Sequence, residues 1–372
     1  MAGSRGTVRA WEKRLRRRLR AAVSTVLAAL RGDQGPARLQ LDPSAIRQVL
    51  VVRMNGRMGN TLFMTPLLAG IHEVLPHANI DVLVRYPDAA DVLRGLPGLR
   101  SVMTLPHTGW WDARTLLRTM RDCRANGYDL VIDPVPNSTG GRLAMWLSRA
   151  RWRLGFGDTD QWLRLDVAAE VPPGVRHEAL RPLALLQQAF GYTVIAGQAR
   201  LRIANDAAEL AAGARLFEQQ LDAAYPPPRA GRPVIGFFAS ARGPKDLGPQ
   251  WWHDFWKAYL RLRPEALPIE VLPTANHRAV KASFASVHCR SPRKLAATIA
   301  HADGFFSADT GPMHLASAAG VPTIAFFDQT NPAAFGPIKP QDTVLKIGGK
   351  SPQEVAEACA LIIAAKARSA AQ

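Results

Sequence analysis

Apolar residues fall along this chain in short dense runs, each followed by a polar break and then by a stretch with helical spacing. The runs "IRQVLVVR" (46–53), "NIDVLVR" (79–85), "RSVMTL" (100–105), "YDLVID" (128–133) and "RWRLGF" (151–156) are rich in Val, Ile and Leu. Runs of this length without strict alternation predict strands buried on both faces. Helix-like segments begin near Thr61, Pro87, Trp111 and Thr139, and "RHEALRPLALLQQAFGY" (176–192) predicts a helix that closes this half. After one more helical stretch and the stiff connection "YPPPRAGRP", the alternation restarts with "PVIGFFAS", "QWWHDFWKAYLRL", "PIEVLP", "SPRKLAATIAHA", "GFFSAD", "GPMHLASAAG" and "VPTIAFF". Repeated strand–helix units predict an α/β protein of two Rossmann-like halves in tandem, each a parallel sheet covered by helices. A last helix, "SPQEVAEACALIIAAKA", is free to pack on either half.

The boundaries read from these patterns are a basic arm over 1–45, a first domain over 46–195, a linker over 196–232 and a second domain over 233–372. A chain of 372 residues agrees with two domains. Three scattered cysteines without CxxC spacing argue against a disulfide framework or a zinc site and fit a reducing cytosol.

Charge adds a separate feature. The formal net charge is +17, and residues 1–33 hold nine Lys and Arg against Glu12 and Asp33. Trp11, Leu15, Leu19, Val23, Val26 and Leu30 recur every three or four residues while arginines fill the other faces, which predicts a basic amphipathic helix. Such a helix suits the headgroup region of an anionic membrane; a solvated helix, a helix packed on a domain and a signal peptide are the alternatives. No apolar run approaches the roughly 20 residues that span a bilayer. No nucleic-acid partner is expected, because the aromatics sit at packing positions instead of interleaving with the basic run.

In open parallel sheets, ligands bind beyond the carboxyl ends of the strands, so residues just after strands are the candidates. In "SADTGPMHLASAAGVP", Asp309 ends a strand, Thr310 or Asp309 caps a helix, and Gly311 and Pro312 open it. Free amides and the helix dipole there suit a pyrophosphate, with His314 either at the site or satisfied in the packing. Ser240 and Lys245 follow the first strand of that half, and a loop lysine there can reach a phosphate at the neighbouring helix or remain solvated. Trp251 and Trp252 read as anchors of their helix, with stacking on a base as the alternative. In the first half, "RMNGRMGNTLFMTPLL" (53–68) carries a strand through a glycine turn into a helix, with Asn60 at the turn.

These segments, with "YDLVIDP" and Arg142 downstream, "RLGFGD", "RHEALRPLALL" and "SADTGPMHLASAAGVPTIAFFDQTNPAAFGP", resemble in order glycosyltransferase family 9, the lipopolysaccharide heptosyltransferases, over about residues 46–340. The resemblance implies a GT-B fold, with the acceptor on the first domain and a nucleotide sugar, ADP-heptose in the best-known members, on the second. It implies an inverting, metal-independent transfer at the cytoplasmic face of the inner membrane, to a lipopolysaccharide core or related surface glycan. It carries Asp309 and His314 to the donor site and, with no cofactor needed, leaves Lys245 and the amides at Thr310 and Gly311 to stabilise the departing diphosphate.

The chain departs from the family where the usual Gly-Asp, whose aspartate is the candidate base, is Gly59-Asn60. An amide takes no proton, so Asp133, at the end of "YDLVID", becomes the candidate, ahead of Asp88, His107 and Asp158. Asp133 is otherwise a loop-capping carboxylate. Further departures, "LPTANHRA" after the second strand and Asp328 after "FF", leave the donor open. Two other readings remain: a GT-B protein that binds without turnover, and a nucleotide-sugar epimerase.

Overall fold

The computed structural model describes residues 40–54, 58–105, 113–157, 163–193 and 199–370. The predicted basic helix within 1–33, and with it the membrane contact, lies outside the described residues, as do His107 and Asp158. Among the described residues no helix is long and apolar enough to cross a membrane.

The first half is a six-stranded parallel sheet of β1 (Gln48–Arg53), β2 (Asn79–Val84), β3 (Leu99–Thr104), β4 (Leu130–Asp133), β5 (Trp152–Phe156) and β6 (Val167–Ala169), in the order β3-β2-β1-β4-β5-β6. Its helices are α1 (Met58–Leu62), α2 (Thr65–Val74), α3 (Pro87–Leu93), α4 (Ala113–Ala125), α5 (Thr139–Ser148) and α6 (Leu183–Phe190). Within the stretch expected as a linker, residues Ala207–Ala224 form α7, opened by a capping box between Asp206 and Glu209, and its Phe217 and Leu221 join the buried cluster of the second half.

The second half repeats the plan. Its strands are β7 (Val234–Phe238), β8 (Leu267–Val271), β9 (Ala285–Val287), β10 (Gly304–Ala308), β11 (Thr323–Phe327) and β12 (Thr343–Lys346), ordered β12-β11-β10-β7-β8-β9 and all parallel. Its helices are α8 (Pro249–Leu262), α9 (Pro292–Ile299), α10 (Gly311–Ala319), the single turn α11 (Pro332–Phe335) and α12 (Pro352–Ala370), which packs on α8 of its own half. Both sheets follow the doubly wound order, in which the chain reverses direction between the first and fourth strands and leaves a crevice at their carboxyl ends.

The central strands are buried along their middles, as their apolar runs predict: Val49 to Val52 and Phe305 to Ala308 all lie inside. The short edge strands β6, β9 and β12 have no such runs. Residues 177–182 form turns, not the start of a helix, because Pro182 stands at the N-terminus of α6. Trp252 anchors α8, buried among Phe237, Phe255 and Phe326.

The halves meet directly. Leu62, Phe63, Val92 and Ala179 of the first half join Leu295, Ala296, Leu315 and Ala316 of the second in one buried cluster. At the seam the Glu178 amide donates to the Ala334 carbonyl at 3.0 Å, and Ser291 Oγ donates to Asp91. The buried Arg293 guanidinium ties the Arg94 and Ala204 carbonyls to Glu209, so one side chain joins both halves and the linker.

Candidate active site

The crevice of the second half is built on β10. Ser307 and Ala308 end the strand, and Asp309 follows with its carboxylate nearly buried. Asp309 Oδ2 accepts from the Lys245 ammonium and, at 2.8 Å, from the Thr330 hydroxyl. Lys245 reaches it from the loop after β7 and remains about one-third exposed, so its ammonium bridges Asp309 and the open crevice.

Thr310 takes the extended N-cap conformation of α10 but makes no capping bond; its hydroxyl is shared with Ser307 Oγ at 2.9 Å. The first amides of α10 therefore keep their donors for something other than the cap. His314, one turn on, lies 3.8 Å from Asp309 Oδ1 through Nε2. Burial pushes its pKa down to about 4, against the pull of Asp309, so the ring is neutral near pH 7. Its Nδ1 has no hydrogen-bond partner among the described residues.

Gly59 and Asn60, expected at a turn, lie instead within helix α1 of the first half, which abuts α10. A Cβ on Gly59 would stand 3.1 Å from His314 Cδ2 and 3.7 Å from the Gly311 Cα. A methyl there would require the His314 ring to give by a few tenths of an ångström. Asn60, next in sequence, is exposed. Phe63 meets the His314 ring edge-on at 4.7 Å and the His177 ring at 5.5 Å. His177 is fixed at the seam: its Nδ1 accepts from the Ala179 amide at 3.1 Å, so Nε2 carries the proton and donates to the Gly336 carbonyl at 2.7 Å.

Asp133 lies at the end of β4, beside β1, and is fully buried. Its Oδ1 accepts from the Val135 amide at 3.1 Å. A Cβ on Gly141 would come within 2.1 Å of Oδ2, so the glycine lets α5 start directly over the carboxylate. Burial pushes the Asp133 pKa up to about 7, with Arg142, the Val135 amide, Ser138 and Arg53 pulling it down. Arg142, also fully buried, donates to the Phe156 carbonyl, and Gly155 leaves it the room. Desolvation lowers the Arg53 pKa to about 10, with Asp133 and Glu178 opposing.

Lys245, Asp309, Thr310, Gly311 and His314 are thus gathered around the first turn of α10, and Asn60 follows Gly59 in the helix that abuts it. Ser240 stands apart from that network, its hydroxyl 3.3 Å from His277 Nε2, and Asp88 is exposed in the first turn of α3. Thr330, Phe63 and His177 belong to the site although no pattern in the sequence singled them out. Thr330 was within reach of the strand-end rule, three residues beyond β11, whereas the seam roles of Phe63 and His177 depend on how the halves meet. Among the described residues His, Cys, Asp and Glu form no group of three suited to a metal ion.

Comparison with known proteins fits this architecture. No curated protein matches the sequence. Among solved structures, a family 9 glycosyl transferase from Veillonella parvula superposes with a TM-score of 0.72 at 18% identity, covering 85% of this chain and 97% of that one. The E. coli ADP-heptose lipopolysaccharide heptosyltransferase II gives 0.67 at 16% identity, over 86% of this chain and 99% of the other. The E. coli heptosyltransferase WaaC with ADP gives 0.64 at 18% identity, over 85% and 98%. The two halves are thus those of a GT-B fold. The sequence pattern of glycosyltransferase family 9 (heptosyltransferase) matches residues 116–361, two-thirds of the chain, and the protein belongs to that family of sugar-transferring enzymes.

Proposed function

We propose that this protein transfers a heptose-like sugar from a nucleoside diphosphate donor to a lipopolysaccharide core or related surface glycan, with inversion and without a metal. The observation that carries the reading is the meeting of Gly59 and Asn60, in α1, with the uncapped N-terminus of α10, where Lys245 adds a positive charge. An anion-binding helix end in one domain and a hydroxyl-orienting amide in the other is the arrangement that glycosyl transfer needs. ADP-heptose is the leading donor, since structural relatives are described with ADP and with ADP-2-deoxy-2-fluoro heptose.

In this reading the diphosphate takes the α10 amides and the Lys245 ammonium, which turns partly from Asp309. The acceptor hydroxyl attacks the anomeric carbon opposite the diphosphate; the new C–O bond forms as the bond to phosphate breaks, and the charge left on the diphosphate is held by groups already in position. Asn60 orients the hydroxyl through its amide. Asp133 takes the proton: a carboxylate at about 7 is suited to that task at neutral pH, and the loop over residues 134–138 must admit the hydroxyl or a water to Oδ2. His314, neutral and backed by Phe63, keeps the two halves in register. Residues 1–33 would hold the enzyme to the cytoplasmic face of the inner membrane.

Incubating the protein with a panel of nucleotide sugars and deacylated core oligosaccharides, and following diphosphate release, tests the reading. Acceptor-dependent release of ADP from ADP-heptose is expected. Release without acceptor would point to hydrolysis or epimerisation, and donor binding with no release would point to the non-catalytic reading that Asn60 also fits.

A further inference from the structure

The second domain carries a groove that sugar transfer does not use. It runs along α8 against the segment 280–284 and encloses about 380 Å³. His253, Lys257 and Arg261 line it at four-residue spacing, which sets them in one row along the helix. Lys281 faces them from the other wall, its ammonium 5.3 Å from the centre of the Phe284 ring. Among the described residues no carboxylate forms an ion pair with Lys257, Arg261 or Lys281. The nearby acids are engaged elsewhere: Asp254 accepts from Gln250, Glu265 pairs with Arg263, and Glu270 accepts from the Val280 amide.

The groove also has an apolar side. Trp256 and Phe284 form part of its wall with their rings 5.7 Å apart. The indole N–H of Trp256, a side chain only 1% exposed, has no hydrogen-bond partner among the described residues. Leu260 on α8 and Val280 on the facing segment complete this apolar wall. A bare phosphate has no use for this aromatic and aliphatic surface, whereas an amphiphile with an anionic head uses both parts.

We propose that this groove binds the phosphate of an anionic lipid headgroup, so that α8 lies against an acidic membrane leaflet. The cations take the phosphate, and Leu260 and Val280, backed by Trp256 and Phe284, meet the glycerol and upper acyl carbons. The proposal is independent of the donor and acceptor readings, since none of these residues touches the α10 site.

The test is co-sedimentation of the full-length protein with phosphatidylcholine vesicles with and without phosphatidylglycerol. Replacing Lys257→Gln together with Lys281→Gln is expected to weaken binding to the anionic vesicles roughly 30-fold, the equivalent of about 1 kcal/mol for each of two cations at such a surface. Replacing Lys294→Gln with Lys350→Gln, exposed lysines elsewhere on the same domain, removes equal charge and is expected to change binding by no more than about 2-fold. Turnover of a soluble acceptor stays as in the unmodified protein for both variants, which shows that both are folded. Equal weakening by the two double variants would overturn the proposal, because it would mean bulk charge alone acts. Displacement by inorganic phosphate beyond that by chloride at matched ionic strength would overturn it too, because the site would then take free phosphate.

Discussion

The two halves end their equivalent fourth strands in the same way and then diverge. β4 finishes at Asp133 and leads to α5; β10 is followed by Asp309 and leads to α10. In the first half Ser138 caps α5 by accepting from the Gly141 amide at 3.1 Å, and the carboxylate below is sealed from water. In the second half Thr310 leaves α10 uncapped, and Asp309 is paired with a lysine that remains partly in solvent. One fold therefore yields a closed helix end over a carboxylate of raised pKa and an open helix end beside a cation. The closed end suits proton chemistry, and the open end suits a diphosphate.

The largest effect that sharpens this contrast is expected from Asp133→Asn. As the proton acceptor, Asp133 should cost about 10²–10⁴-fold in kcat when replaced. The unmodified enzyme should gain rate as pH rises through about 7, where the carboxylate ionises, and the variant should lose that limb. Stability gives a separate readout. The folded pKa of Asp133 lies above its unfolded value near 3.8, so the folded state binds more protons between the two, and this group's contribution falls as pH rises through that window. The buried imidazole of His314 has the opposite slope between about 4 and 6.5, so the difference between wild type and Asp133→Asn isolates the aspartate. Urea unfolding should show the variant gaining on the wild type by up to roughly 4 kcal/mol as pH rises from 4 to 7. Unchanged kcat with the same stability difference would reduce Asp133 to a structural carboxylate.

Lys245→Ala attacks the open end. Loss of a charge aimed at the leaving diphosphate is expected to lower kcat by about 10²–10³-fold, read as ADP release under saturating donor. A variant close to wild type would remove Lys245 from the reaction and weaken the assignment of the second half. Gly59→Ala tests the contact between the halves: with His314 Cδ2 only 3.1 Å from the new methyl, the neighbour must shift by a few tenths of an ångström. About a 10-fold fall in kcat/KM is expected, since small misplacements of reacting groups are costly. The smallest effect is assigned to Ser240→Ala, whose partner His277 is solvent-exposed; about a 3-fold change or less in donor KM follows from losing one exposed hydrogen bond.

Much of this was legible in the sequence for physical reasons that can be named. Strands such as Val49–Val52 and Phe305–Ala308 are buried on both faces, so their apolar runs are continuous and unmistakable. The edge strands β6, β9 and β12 were not, because three or four residues at a sheet margin leave too little pattern. The cluster around the first turn of α10 was readable because Asp309, Thr310 and Gly311 are consecutive at one strand end, and Lys245 follows another. The environment of Asp133 was not readable, since its burial depends on Gly141, Ser138 and Arg142 folding over it. Nor were Phe63 and His177, which acquire their role only where the two domains meet.

The division of labour between the halves is tested most directly by ADP affinity, measured by calorimetry on the full-length protein, Lys245→Ala and Asp133→Asn. If the open end of α10 holds the diphosphate, Lys245→Ala should weaken ADP binding by about 10-fold or more, the loss of one charge-assisted contact, while Asp133→Asn binds as the wild type does. Equal weakening by both variants, or weakening by Asp133→Asn alone, would contradict the account.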